Sequence, residues 1–319
     1  MDYYSSFITV VIFCFILFIY LHIFFHIKTS NELELYEIEP PSKIKLHEIC
    51  DLKQPVLFDF INEYIDSNVS RKFIQESYGG YDVNIRDATE TGDELYIQLP
   101  YNISNKLFIN EKEKKYFMEN NYSFLKETGL IKHFQAIDDL LRPNMVSECN
   151  YDIICGTDKA TTPLRYSLDN RLFFYSSQDT IKVRLIPPTY GKHLNVINDY
   201  VNFEFRSNIN PWNVDSMHKI DYDKCRSFDV TVNKGQIIFI PSYWFYSIEM
   251  TDKSNILKFS YKTYMNTVSI LPQLVMSLLQ QNNVKRTENK SSENIVSLVE
   301  KIDISNNVID EPNDLDAVD

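Results

Sequence analysis

The chain has 319 residues, 44% of them hydrophobic and 21 each of Phe and Tyr, which supplies a real core and excludes an intrinsically disordered protein. Its formal net charge of −12 and isoelectric point near 5.0 exclude a duplex-wide phosphate footprint, so no nucleic-acid partner is expected. Five cysteines are present: Cys14 lies in an apolar N-terminal run, and Cys50, Cys149, Cys155 and Cys225 show no CxxC or Cys/His ligand spacing, so no zinc site is expected.

Residues Phe7 to Ile27, FITVVIFCFILFIYLHIFFHI, are apolar apart from Thr9, His22 and His26, long enough to cross about 30 Å of hydrocarbon as a helix. No basic stretch precedes them and no small-residue cleavage site follows, so an uncleaved anchor over 1–28 is preferred to a signal peptide. This makes the lipid bilayer a partner and the protein single-pass. His22 and His26 share one helix face beside Lys28 and read as interfacial side chains rather than a metal pair. Lys28 after the span and Asp2 before it lean toward a cytosolic C-terminal part.

Residues 29–43 are polar with a Pro pair and read as a linker. A globular domain then covers 44–283. Strands are expected at Lys53–Phe60, Asp82–Ile85 and Glu94–Gln98, and helices at Ile61–Gln75, Glu111–Glu127 and Ile131–Leu141. Strands follow at Asp152–Cys155, Leu172–Ser176, Lys182–Ile186, Ser227–Val232, Gln236–Ile240, Tyr246–Met250 and Ile256–Tyr261. Such spacing without intervening helices indicates an antiparallel sandwich or barrel. Thr267–Asn283 has Pro272 near its start and apolar residues at helical spacing, a stripe that packs on its own barrel or makes a homodimer contact. From 284 to 319 the chain is polar, with five acids in its last eleven residues; it reads as a disordered tail with one short helix at Glu293–Ile302. Sequons stand at Asn68, Asn102, Asn121 and Asn289, and such triplets arise by chance in Asn- and Ser-rich chains.

Two segments carry a family resemblance: ICGTDKATTPLRYSLDNRLFFYSSQDTIKVRLIPP (Ile154 to Pro188) and VNKGQIIFIPSYWFYSIE (Val232 to Glu249). Together with KQPVLFDF near the start they resemble the JmjC-type, cupin-like 2-oxoglutarate iron oxygenases, in particular the branch similar to the asparaginyl hydroxylase that acts on hypoxia-inducible factor. The resemblance implies a mainly β double-stranded β-helix (cupin or jelly roll) with flanking helices, behind one transmembrane helix. It also implies Fe(II) held by two His and one carboxylate, with 2-oxoglutarate as co-substrate. Carried over, the three ligand positions fall on Arg165, Ser167 and Tyr246. Arg cannot donate a lone pair, and a neutral hydroxyl and a phenol are poor substitutes, so no metal, no catalytic residue and no cofactor is expected. The co-substrate carboxylate position falls near Lys182 or Arg184, which strand alternation puts on one face.

His193 and His218 offer an unusual site with Asp169 or Asp215, against the plainer reading of loop histidines. Tyr243, Trp244 and Phe245 suggest a stacking platform, against ordinary core packing. Three functions follow: a catalytically dead cupin-like domain tethered to a membrane, a protein hydroxylase with an atypical metal site, or a small-molecule or glycan-binding jelly roll. Composition bias and anchor together resemble proteins of large DNA viruses.

Overall fold

The computed structural model describes residues 2–89, 95–110 and 113–283; the expected tail, its short helix and the Asn289 sequon lie outside them, as does Glu94. A helix over Asp2–Ile27 comes first, and Tyr3–Ile27 is long and apolar enough to cross a membrane. The strands in chain order are β1 (Tyr36–Ile38), β2 (Val56–Asp59), β3 (Asp82–Asp87), β4 (Tyr96–Pro100), β5 (Tyr116–Met118), β6 (Val146–Gly156), β7 (Arg165–Tyr166), β8 (Arg171–Ser176), β9 (Ile181–Ile186), β10 (Val196–Asp199), β11 (Glu204–Ser207), β12 (Phe228–Val232), β13 (Gln236–Ile240), β14 (Phe245–Glu249) and β15 (Ile256–Thr263). They form a nine-stranded sheet, β1-β2-β13-β8-β15-β6-β5-β3-β4, and a six-stranded sheet, β10-β11-β7-β14-β9-β12. Every pairing is antiparallel except β1 with β2. The sheets face each other as a jelly roll, mainly β with flanking helices.

Composition decides which sheet is buried on both faces. RLFFYS of β8 is buried at every position, and QIIFI of β13 is nearly so. One face of these strands meets the opposite sheet through Leu172, Phe174, Ile238 and Ile240. The other meets helices through Phe173, Tyr175, Ile237 and Phe239, packed with Leu46, Ile74, Phe134 and Ile137. IKVRLI of β9 instead alternates, with Ile181, Val183 and Leu185 inward and Lys182 outward, because its outer face meets water.

Several elements differ from the sequence expectation. The helix expected over 61–75 is two, Glu63–Asn68 and Arg71–Tyr78, because the Ser70 hydroxyl caps the second by accepting from the Phe73 amide at 3.2 Å. Glu111–Glu127 is not one helix: Phe117 and Met118 pair with Arg86 and Ile85 on one side and Gly156 and Cys155 on the other. The helix expected over 267–283 divides into Tyr264–Ser269 and Leu271–Asn283, since Pro272 has no amide to continue the ladder. Residues 196–207, where no strand was expected, form the β10–β11 hairpin.

The segment expected as a linker is seated on the domain. It contributes β1, and the Trp244 indole donates to the Ser30 carbonyl at 3.0 Å. Gln54 donates to the Ser30 hydroxyl at 3.1 Å, and Asn31 accepts from the Thr189 amide at 3.1 Å.

Candidate functional site

One end of the sandwich has a polar interior. On β6 the inward positions are Glu148, Asn150 and Asp152, and on β15 they are Lys262, Ser260 and Lys258. The register sets these directly opposite one another as Asp152 with Lys258, Asn150 with Ser260 and Glu148 with Lys262. The Lys262 ammonium reaches Glu148 at 2.9 Å. From the smaller sheet, β7 brings Arg165, β14 brings Tyr246 and β11 brings Glu204. Together they enclose a cavity of about 280 Å³.

Arg165 and Tyr246 are direct partners across β7 and β14, and the guanidinium lies over the phenol ring at 5.7 Å. Ser167 lines the same cavity, its hydroxyl donating to Asp169 at 2.8 Å. The fold therefore brings Tyr246, distant in the chain, to the same cavity as the near neighbours Arg165 and Ser167. Lys182 and Arg184 are not brought there. They share a face, as alternation required, but it is the outer one: Lys182 pairs with Glu249 at 3.5 Å, and Arg184 chelates Asp229 over the Trp212 ring at 4.3 Å.

The residues sequence reasoning missed are Glu119, Glu204 and Arg86. Arg165 donates to Glu119 at 3.1 Å and to Glu204 at 2.9 Å through Nη1, and to Glu119 at 2.5 Å through Nη2. Arg86 donates to the same two carboxylates, at 2.7 Å to Glu119 and at 2.9 and 3.0 Å to Glu204. Two guanidiniums and two carboxylates thus alternate in a ring whose charges cancel, and Arg86 at its back is 0% exposed. Burial by itself would raise the Glu119 carboxyl, but the Arg165 and Arg86 charges outweigh it and hold the group well below the ordinary carboxylate range. Glu204 is lowered by the same balance.

Glu119 is delivered by a built turn. Asn120 takes a positive φ of 61°, and the buried Asp152 carboxylate accepts from the Asn120 and Asn121 amides at 2.6 and 2.8 Å. Burial nonetheless raises Asp152 above its ordinary value. No local signal marks Glu119; the alternation of Glu148, Asn150 and Asp152 beside an otherwise apolar strand was the sequence trace of this polar interior.

The remaining candidates lie elsewhere. On the surface His218 Nδ1 accepts from the Asn195 side-chain amide at 3.2 Å. Trp244 is fully buried in the sandwich core and Phe245 nearly so, so neither presents a stacking face. Among the described residues no group of three His, Cys, Asp or Glu side chains is arranged to hold a metal ion. The two carboxylates nearest Arg165 are engaged by guanidiniums. These residues do not fit the Fe(II) that the resemblance implies.

Compared with known families, residues 83–263 match the cupin-like domain, more than half of the chain and all of the cavity. No curated protein matches it.

Proposed function

Because the chain belongs to the cupin-like domain family, we propose that it is a membrane-anchored member that has exchanged the iron centre for a structural ion-pair ring and serves as a binding or scaffolding module. In this reading Arg165, Ser167 and Tyr246 occupy the three ligand positions of the oxygenase branch. The observation that carries it is the seat of Arg165: a permanent cation, hydrogen-bonded to both Glu119 and Glu204, standing where a metal would need a lone pair. The Asp2–Ile27 helix is the anchor. Lys28 and Lys53 follow it, with Lys53 donating to the Phe25 and Lys28 carbonyls, and this basic end favours a cytosolic domain. Five free cysteines accord with a reducing compartment.

The cavity supports a ligand-binding role for the same domain. Its lining is polar, with Glu148, Asn150, Asp152, Lys258 and Lys262 beside Arg165 and Tyr246, which suits a small polar ligand.

The test is to load the purified full-length chain anaerobically with Fe(II), then measure bound iron and succinate release from 2-oxoglutarate. Neither is expected; stoichiometric iron with turnover overturns the reading. The triple variant Arg165→His, Ser167→Asp and Tyr246→His gains iron binding if the three positions are the ligand positions, and a folded triple variant without it refutes that assignment.

A further inference from the structure

The helix Leu271–Asn283 is inside out. Its exposed face carries Leu271, Val275, Leu278 and Leu279, at 54, 45, 62 and 54% of full exposure, with Pro272 and Met276 beside them and the polar Gln281 and Asn282 exposed only at its end. The side turned toward the domain carries Ser277, 7% exposed, and Gln273, whose carbonyl oxygen is buried without a partner among the described residues. Leu274 alone reaches a core cluster, that of Leu168, Phe205 and Ile270. A helix that faced only its own domain and water would have the opposite polarity.

The surroundings identify what covers it. The preceding short helix, Tyr264–Ser269, packs against the N-terminal helix, and Leu21, His22, Phe25 and His26 share a cavity wall with Thr263 and Met265. Roughly 20 residues are enough to cross hydrocarbon, so the last turns of the 26-residue helix lie at the headgroup level. Lys53, over the Phe25 ring at 4.2 Å, marks the same level, as basic residues do at a membrane boundary. From Thr263 to Val284 the sequence has no charged residue, and Lys262 and the Lys285–Arg286 pair bound it. An exposed apolar helix face in an uncharged stretch, linked to the apolar N-terminal helix through the short helix Tyr264–Ser269, is the arrangement of an interfacial helix.

We infer that Leu271–Asn283 lies in the plane of the bilayer surface with Leu271, Val275, Leu278 and Leu279 among the acyl chains. It forms a second membrane contact that fixes the tilt of the jelly roll. This rests on the N-terminal helix spanning the membrane.

The experiment uses the full-length chain reconstituted in phosphatidylcholine vesicles containing lipids with a nitroxide quencher at a shallow or a deep acyl position. Two single variants are compared with the parent, whose own Trp212 and Trp244 give the background. Phe15→Trp reports the spanning helix, and Leu278→Trp the interfacial one. The added Leu278→Trp emission is expected to be lost mostly to the shallow quencher, and that of Phe15→Trp mostly to the deep one. If Phe15→Trp is quenched and Leu278→Trp is not, the interfacial helix is refuted while the anchor stands, a homodimer contact through this helix being then diagnosed by crosslinking. If neither is quenched, the spanning helix fails and the inference falls with it.

Discussion

Replacing Arg165 with Met measures the ion-pair ring directly. In the intact ring Glu119 and Glu204 each meet both Arg165 and Arg86. Without Arg165, two nearly buried carboxylates share Arg86 as their common cation, with Arg206 reaching Glu204 alone at 2.9 Å. Removing one partner of a buried ion pair costs about 3–5 kcal/mol, because the other charge stays desolvated. For a domain of this size that lowers the melting temperature by roughly 6–20 °C. The double variant Arg165→Met, Glu119→Leu leaves Arg86 chelating Glu204 in a balanced pair and puts methylenes where the other pair stood. It is therefore expected to be more stable than Arg165→Met alone, although it carries one substitution more. The assay is urea unfolding of the full-length chain in mild detergent, completed with Glu119→Leu as a double-mutant cycle. A loss below about 1 kcal/mol for Arg165→Met, the size of an exposed pair, together with additive effects in the cycle, would refute the ring as a structural replacement for the metal.

The depressed carboxyls set the acid limb. Glu119 and Glu204 bind protons less readily folded than unfolded, so their contribution is complete above their ordinary value of 4.5 and is lost as pH falls below it; Glu119→Gln should flatten melting temperature against pH in that range. His47 works in the same direction at higher pH. Burial, then the Arg171 charge, lowers it from 6.5, and its Nδ1 meets the Arg171 guanidinium at 3.0 Å, which leaves Nε2 to carry the proton. Stability attributable to His47 should be complete above pH 6.5 and decline on acidification through it, and His47→Gln should abolish that slope in a pH series of unfolding midpoints. Gly156→Ala places a Cβ 2.8 Å from the Phe117 Cβ and 2.9 Å from the Tyr116 carbonyl. It should cost about 1–3 kcal/mol by overpacking, and an unchanged midpoint would show that β5 yields freely.

Legibility in the sequence followed the range of the forces involved. The helix Ile131–Leu141 and the strand Gln236–Ile240 were readable with the boundaries expected, and the N-terminal apolar helix ends at Ile27 as expected but begins at Asp2 rather than Phe7, because each is specified by its own periodicity or run. Leu172–Ser176 and Lys182–Ile186 came within a residue of β8 and β9. The strand β5 was hidden inside a helical pattern, since what makes Tyr116–Met118 extended is its pairing with β3 and β6. Lys182 and Arg184 were correctly placed on one face, but a strand pattern alone does not say which face looks inward.

At the site, Arg165, Ser167 and Tyr246 could be named because they interrupt recognisable segments, and their convergence on one cavity follows from the jelly-roll register. Their counter-charges could not be named. Glu119 reaches Arg165 from a turn 46 residues upstream and Glu204 from a hairpin 39 residues downstream, and no local pattern encodes such pairings. The apolar Thr267–Asn283 stripe shows the same division. Its composition made a helix with a sticky face legible, but which side that face takes was settled by packing: Leu274 and Ile270 enter a core cluster, while Val275, Leu278 and Leu279 turn outward. Sequence by itself determined the elements with a periodicity of their own, an N-terminal helix long and apolar enough to cross a membrane and the absence of His and carboxylate at Arg165, Ser167 and Tyr246, since these depend on residue type and short-range periodicity. Only the tertiary structure decided what neutralises Arg165, because a buried cation must find its partners wherever the chain happens to return.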